Sequence, residues 1–309
     1  MKKVILSGAF MLFSLFAVAQ ETPFTLHTPT GDLFGTLTIP ETHHPVPVVL
    51  LIAGSGPTDR DGNNTINLKT NSYKQLADSL LKSNIAVLRY DKRGIAASHA
   101  AYKSEADVVF TDYVKDAVLF AKTLKADKRF SKVYIAGHSE GSLIGMMAAE
   151  EVPVAGFISI AGAGEPAGKT LRRQLARVPA MAPTINKMLD TLESGHTLKG
   201  PIDPNLMALF RPSIQPYMIS WLKLDPTQEI AKLHIPVLII QGTTDIQVSK
   251  EDADWLKAAS PKATLVIIDG MSHIFKTAPA DIQANYATYQ KPELPIRTEL
   301  VQAIRKFMR

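Results

Sequence analysis

Short apolar runs recur along the chain at residues 47–52 (PVVLLI), 85–90 (IAVLRY), 132–136 (KVYIA), 154–160 (VAGFISI), 236–241 (PVLIIQ) and 264–269 (TLVIID). None alternates with polar residues, which is the pattern of strands buried on both faces of a sheet. Two earlier segments, 24–28 and 33–39, flank Thr30-Gly31-Asp32 and predict a hairpin. Between the apolar runs lie segments with helical spacing, at 72–82, 113–125, 141–150, 250–258 and 297–307. Strand and helix alternating in this way predict an α/β fold, an eight-stranded, mostly parallel sheet with helices on both faces. Residues 164–231 break the alternation with many prolines and methionines, and predict a helical cap inserted between the strands at 154–160 and 236–241. The core is then expected in two parts, 20–163 and 232–309.

One of these strands carries chemistry at its end. Residues 132–136 run into Gly137-His138-Ser139-Glu140-Gly141, and a small-residue helix follows. A serine hydroxyl becomes a useful nucleophile only where a base, a carbonyl and oxyanion donors converge, and a sharp strand-to-helix turn provides that place. The flanking glycines let backbone pack closely around Ser139, and the helix opening at Glu140 offers N–H groups to developing negative charge.

A serine on such an elbow takes an acid and then a histidine from later loops at the same end of the sheet. Of eight histidines, His27, His43 and His44 precede the first central strand, His99 lies upstream of the serine and His138 sits within the elbow. His196 belongs to the insertion and His234 to the wrong end of a strand. His273, four residues beyond the strand at 264–269, fits both the order and the end of the sheet, and is the expected base. Asp245 leaves the carboxyl end of 236–241 and is the expected acid, whereas Asp252 and Asp254 fall on a helix and read as a solvated face. The strand at 47–52 ends in Ala53-Gly54-Ser55-Gly56-Pro57. The backbone N–H of Ser55, with Gly56 as alternative, is expected to pair with that of Glu140 as an oxyanion hole.

On these residues, over 24–308, the chain resembles a bacterial serine esterase of the α/β-hydrolase superfamily. The runs GSGPTDRDGNN (54–64) and RYDKRG (89–94) are similar to those of a carboxylesterase subgroup with a G-S-G-P-x-D-R-D signature, although Ala53 stands where many superfamily members have histidine. The resemblance implies a helical lid at 164–231, with Met181, Met188, Met207, Phe210, Tyr217, Met218 and Trp221 available to line an acyl or alcohol pocket. It also implies small-molecule esters, of short acyl chains, as substrates. Asp59-Arg60-Asp61 reads as support for the oxyanion loop by ion pairs, with contact to a polar substrate as the alternative, and Arg93 is placed to buttress the loop that carries Asp59 or Asp61. A peptidase or amidase uses the same three residues, and a binding module on this scaffold would have lost one of them.

Composition alters the setting rather than the chemistry. Met1-Lys2-Lys3, an uncharged stretch at 4–20 and Ala17-Val18-Ala19 have the three parts of a secretory leader, with 1–19 removed. Cleavage leaves no stable membrane anchor and predicts a periplasmic or secreted protein. With no cysteine, neither a lipid-modified cysteine nor a disulfide framework is available. Losing Lys2 and Lys3 takes the formal charge from +5 to +3, and the basic residues are dispersed, so nucleic acid is not an expected partner. His43 and His44 lack metal-ligand spacing and no phosphate-binding glycine motif follows the first central strand, so neither metal nor cofactor is expected.

Overall fold

The computed structural model describes residues 20–176 and 179–309; the leader read at 1–19 lies outside the described residues. Eight strands form one sheet in the order β1-β2-β4-β3-β5-β6-β7-β8. They are β1 (Gln20–Thr28), β2 (Gly31–Ile39), β3 (Val46–Ile52), β4 (Ala86–Tyr90), β5 (Phe130–His138), β6 (Gly156–Ile160), β7 (Val237–Gly242) and β8 (Thr264–Ile268). The β1–β2 hairpin and the β2–β4 pair are antiparallel, and every pairing from β4 to β8 is parallel. This is the mostly parallel eight-stranded sheet that the apolar runs predict, in the α/β-hydrolase fold that the resemblance implies.

Burial explains why those runs do not alternate. Val48, Leu50 and Ile52 of β3 belong to one core cluster, while Val49, Leu51 and Ala53 belong to the other. Successive side chains point to opposite faces, and both faces are covered, so every position must be apolar. On the second face lie α1 (Ser72–Leu81) and α11 (Thr298–Phe307); the first carries α2 (Phe110–Ala126), α3 (Glu140–Glu151) and α9 (Lys250–Ala259). Helix α2 begins three residues before the expected start. Phe110 at its first position is fully buried and stacks on Trp221 at 6.3 Å, so a tertiary contact extends the helix beyond what local spacing reveals.

Between β6 and β7 the chain forms α4 (Ala167–Leu175), α5 (Ala182–Glu193), α6 (Met207–Phe210), α7 (Gln215–Leu222) and α8 (Pro226–Ala231). Their buried residues, among them Leu189, Phe210 and Met218, are continuous with the core cluster of β3 and α2. A short helix within the long segment between β8 and α11, α10 (Ile282–Tyr286), is not predicted by the sequence pattern. Among the described residues no helix is long and apolar enough to cross a membrane.

The sheet order positions the site. Chain order reverses at β3, which has β4 on one side and β5 on the other. Loops leaving the carboxyl ends of strands diverge at such a point and leave a crevice. The register sets Ile52 opposite Gly137, so the turn after β3 and the elbow after β5 emerge side by side.

Candidate active site

Ser139 sits between β5 and α3 with φ 54° and ψ −122°, a strained conformation for a residue with a Cβ. Two close packings hold it. A Cβ on Gly137 would overlap the carbonyl of Gly141, and one on Gly141 would lie 2.5 Å from Ile52 O and 2.6 Å from Ala53 O. The glycines of the G-x-S-x-G run are therefore required because strand, elbow and helix approach one another backbone to backbone. Ser139 N–H also donates to Ile160 O at 3.0 Å, tying the elbow to the end of β6.

Asp245 and His273 come together from the loops after β7 and β8. His273 Nδ1 lies 2.8 Å from Asp245 Oδ2, with both side chains almost wholly buried. The carboxylate is held on three further sides, by Gln241 Nε2 at 3.1 Å and by the backbone N–H groups of Gln247 and Val248 at 2.8 and 3.0 Å. An ionised carboxylate only accepts, so His273 donates from Nδ1 and carries its lone pair on Nε2. Ser139, His273 and Ser55 border one cavity of about 630 Å³. Ser139, Ser55 and Glu140 also border a second, of about 60 Å³. Glu140 is the first residue of α3, where backbone N–H groups have no intrahelical acceptor. The arrangement has the components of acyl transfer: a hydroxyl, an oriented imidazole and N–H donors at a helix start.

Two connections were not legible in the sequence. Gly54 N–H donates to Tyr73 Oη at 3.1 Å, Tyr73 O–H donates to His138 Nδ1 at 2.6 Å, and His138 Nε2–H donates to His273 O at 2.9 Å. That chain links the oxyanion-turn backbone to the loop of the candidate base. Burial, followed by the charge of His273, holds the His138 pKa well below the usual histidine value, which keeps it a neutral donor and acceptor. Its place inside the G-x-S-x-G run was the only sequence signal. The second connection is Lys92, 2% exposed, whose Nζ donates to Gly54 O at 2.7 Å and to Glu140 Oε2 at 2.5 Å. Tyr217 O–H donates to the other oxygen of Glu140. Lys92 thus binds the turn after β3 to the elbow. Lys92→Met leaves the Glu140 carboxylate buried without its counter-charge, and a cost of about 3–5 kcal/mol is expected. Urea unfolding measures it; a loss under about 1 kcal/mol would contradict the arrangement.

Several expectations need correction. Asp252 is not on a solvated face. It is fully buried, accepts from Gly164 N at 3.0 Å, caps α9 through Ser249 and pairs with Arg173. Helical spacing places a residue on a face but does not tell which neighbour covers that face. Arg93 pairs with Asp116 rather than with the loop that carries Asp59 and Asp61, while Arg89 binds Asp61 and Arg60 binds Asp91. The triplet does brace the turn, Asp59 Oδ1 accepting from Asp61 N and Asn63 N. Of the seven cap residues expected at a pocket, Trp221 borders the small cavity beside Ser139, while Phe210 and Met218 are core. The large cavity is walled by the loops of 54–73 and 273–290 instead. Among the described residues no three His, Cys, Asp or Glu side chains gather as a metal site.

Residues 66–215 match the family described as serine aminopeptidase, S33. Esterase EstD of Thermotoga maritima is 31% identical over 256 residues, 79% of this chain; the chain spans 58% of that protein's length. Est1E from Butyrivibrio proteoclasticus superposes with a TM-score of 0.60 at 18% identity, over 93% of this chain and 97% of that one. A thermophilic esterase from Thermogutta terrifontis superposes with a TM-score of 0.55 at 19% identity, over 94% and 98%. The superpositions show the α/β-hydrolase fold, and the family match covers 150 of the 309 residues.

Proposed function

We propose that this chain is a serine carboxylesterase for short-acyl esters. One observation carries the reading: His273, paired with Asp245 at 2.8 Å, borders the same cavity as a serine on a strained elbow. His273 Nε2 takes the Ser139 proton as Oγ attacks the ester carbonyl, and Ser55 N–H and Glu140 N–H receive the oxyanion. Collapse breaks the ester C–O bond, and His273 returns the proton to the departing alkoxide. Water, deprotonated by the same imidazole, then cleaves the acyl-enzyme to the acid and free Ser139. On the reading of residues 1–19 as a secretory leader, the enzyme acts outside the cytoplasm.

The position of His273 separates the two cavities. The departing oxygen receives its proton from His273, so the alcohol lies in the large cavity, which His273 borders, and the acyl group in the small one, which it does not. At about 60 Å³ the small cavity is about a tenth the size of the large one. The expected result with p-nitrophenyl acetate, butyrate and octanoate is a kcat/KM at least about tenfold lower for octanoate, since overpacking a formed pocket costs about 1–3 kcal/mol. Octanoate as the preferred substrate would overturn the short-acyl reading.

The family description keeps a peptidase or amidase in view. Against an aminopeptidase, Glu165 at the small cavity is paired with Arg173 at 3.1 Å, and Glu140 is engaged by Lys92. Neither carboxylate is left to receive a substrate ammonium group. Rates on an ester and an anilide of the same acyl group separate the readings. Absence of labelling by a fluorophosphonate would point to a binding module instead.

A further inference from the structure

The alcohol side of the cleft has an unusual lining. Its cavity, about 630 Å³, lies within the ~300–1,000 Å³ span of small-molecule sites and dwarfs the acyl side. Among the described residues no Lys, Arg, Asp or Glu borders it, although these make up 20% of the chain. Beside the apolar Leu68, Ile274 and Phe275, its polar wall away from the elbow is made of neutral groups, the hydroxyls of Thr58, Thr70 and Ser72 and the amides and phenols of Asn64, Asn67, Gln247, Gln290, Tyr286 and Tyr289. We infer that the cavity receives a polyhydroxylated ring, so that the substrate is a short-acyl ester of a carbohydrate. The inference rests on the serine-esterase reading above.

The chemistry follows from matching groups. A sugar hydroxyl both donates and accepts, as do an amide and a phenol, so each can pair with the other in either sense. A phosphorylated, carboxylated or ammonium-bearing alcohol would lack a counter-charge in this wall. A wholly apolar alcohol would strip water from the amides and return no hydrogen bond, a loss of about 1–3 kcal/mol per group. Tyr286 adds a different kind of contact. It is 47% exposed at the rim and tilted against Tyr289 with ring centroids 5.4 Å apart. An exposed aromatic face of this kind packs against the C–H face of a pyranose ring.

The wall is also held in place before any ligand arrives. Lys276, fully buried, donates to Thr70 O at 2.6 Å and to Lys291 O at 2.8 Å, joining the two loops that form it. Ser72 Oγ–H donates to Ile274 O at 2.7 Å, and Lys69 N–H to Tyr289 O at 2.8 Å. Gln247 Nε2 donates to Tyr289 Oη at 3.0 Å. A polar wall fixed in this way binds without an ordering cost at the moment of encounter.

The test compares alcohols at constant acyl group. Acetate release is measured from the 2-, 3- and 4-O-monoacetates of methyl xylopyranoside, from methyl 6-O-acetylglucopyranoside and from cyclohexyl acetate, a ring of similar size without hydroxyls. At least one sugar monoacetate is expected to exceed cyclohexyl acetate in kcat/KM by about tenfold or more, one or two hydrogen bonds' worth. Tyr286→Ala and Gln290→Ala, both at exposed positions, are expected to lower that ratio severalfold. Cyclohexyl acetate equal to or better than every sugar ester, or a ratio unmoved by both substitutions, overturns the inference while hydrolysis of p-nitrophenyl acetate leaves the esterase reading standing. A folded protein that cleaves no ester, p-nitrophenyl acetate included, removes the premise and the inference together.

Discussion

Ser139→Ala is expected to lower kcat/KM for p-nitrophenyl acetate by about 10³–10⁶-fold, the range for losing a nucleophile that acts as one unit with its base. Pre-steady-state acylation should vanish with it. Stability should hardly move, because alanine keeps the Cβ at φ 54° and the Ser139 N–H still donates to Ile160 O. Ser139→Gly separates the two roles of the position. Without a Cβ the same backbone is unstrained, and a gain of about 1–2 kcal/mol in unfolding free energy is expected alongside the same loss of activity. The strain is then a cost the fold carries to present the hydroxyl. Retention of a tenth of the wild-type rate in Ser139→Ala would exclude this serine as the nucleophile.

Asp245→Asn is expected to cost about 10⁴-fold in kcat, through the tautomer of His273 rather than through charge alone. Asp245 Oδ1 accepts from Gln247 N–H and Val248 N–H, which bind an asparagine only through its carbonyl oxygen. The asparagine NH₂ must then face His273 Nδ1, where the carboxylate now accepts at 2.8 Å. Nδ1 becomes the acceptor, Nε2 carries the proton, and the imidazole can no longer take one from Ser139. The same NH₂ also meets Gln241 Nε2, a second donor, at the place of a 3.1 Å hydrogen bond. A Nε2–H tautomer seen by ¹⁵N NMR, together with the rate loss, is the expected signature. Activity within tenfold of wild type would mean that Asp245 does not orient the base.

Much of this was readable in one dimension. Residues 47–52, 132–136 and 236–241 are continuous apolar runs because each strand is covered on both faces, a constraint strong enough to mark strands without alternation. Gly137 and Gly141 were legible because two backbones approach closer than any side chain permits. The order of Ser139, Asp245 and His273 followed from which strand ends share an edge of the sheet. The limits of such reading lie with long-range partners. Asp252 has the helical placement of a surface residue, yet Arg173 and Gly164 cover it, 79 and 88 positions away in the chain. Arg93 and Arg89 lie four residues apart in one run, and only the packing of α2 and the 59–61 turn decides that they take different carboxylates.

The sequence by itself determined the alternation of strand and helix, the elbow and the two residues that the later loops bring to the same end of the sheet, because these depend on local hydrophobic period, on the steric demands of glycine and on chain order. Only the tertiary structure decided what surrounds them. Lys92 closing on Glu140 and Gly54, Tyr73 passing a hydrogen bond to His138, and the loops of 54–73 and 273–290 rather than the cap forming the wall of the large cavity all depend on segments distant in sequence. A buried polar group must find a partner somewhere, but which partner it finds is fixed by packing in three dimensions, where sequence separation carries no information.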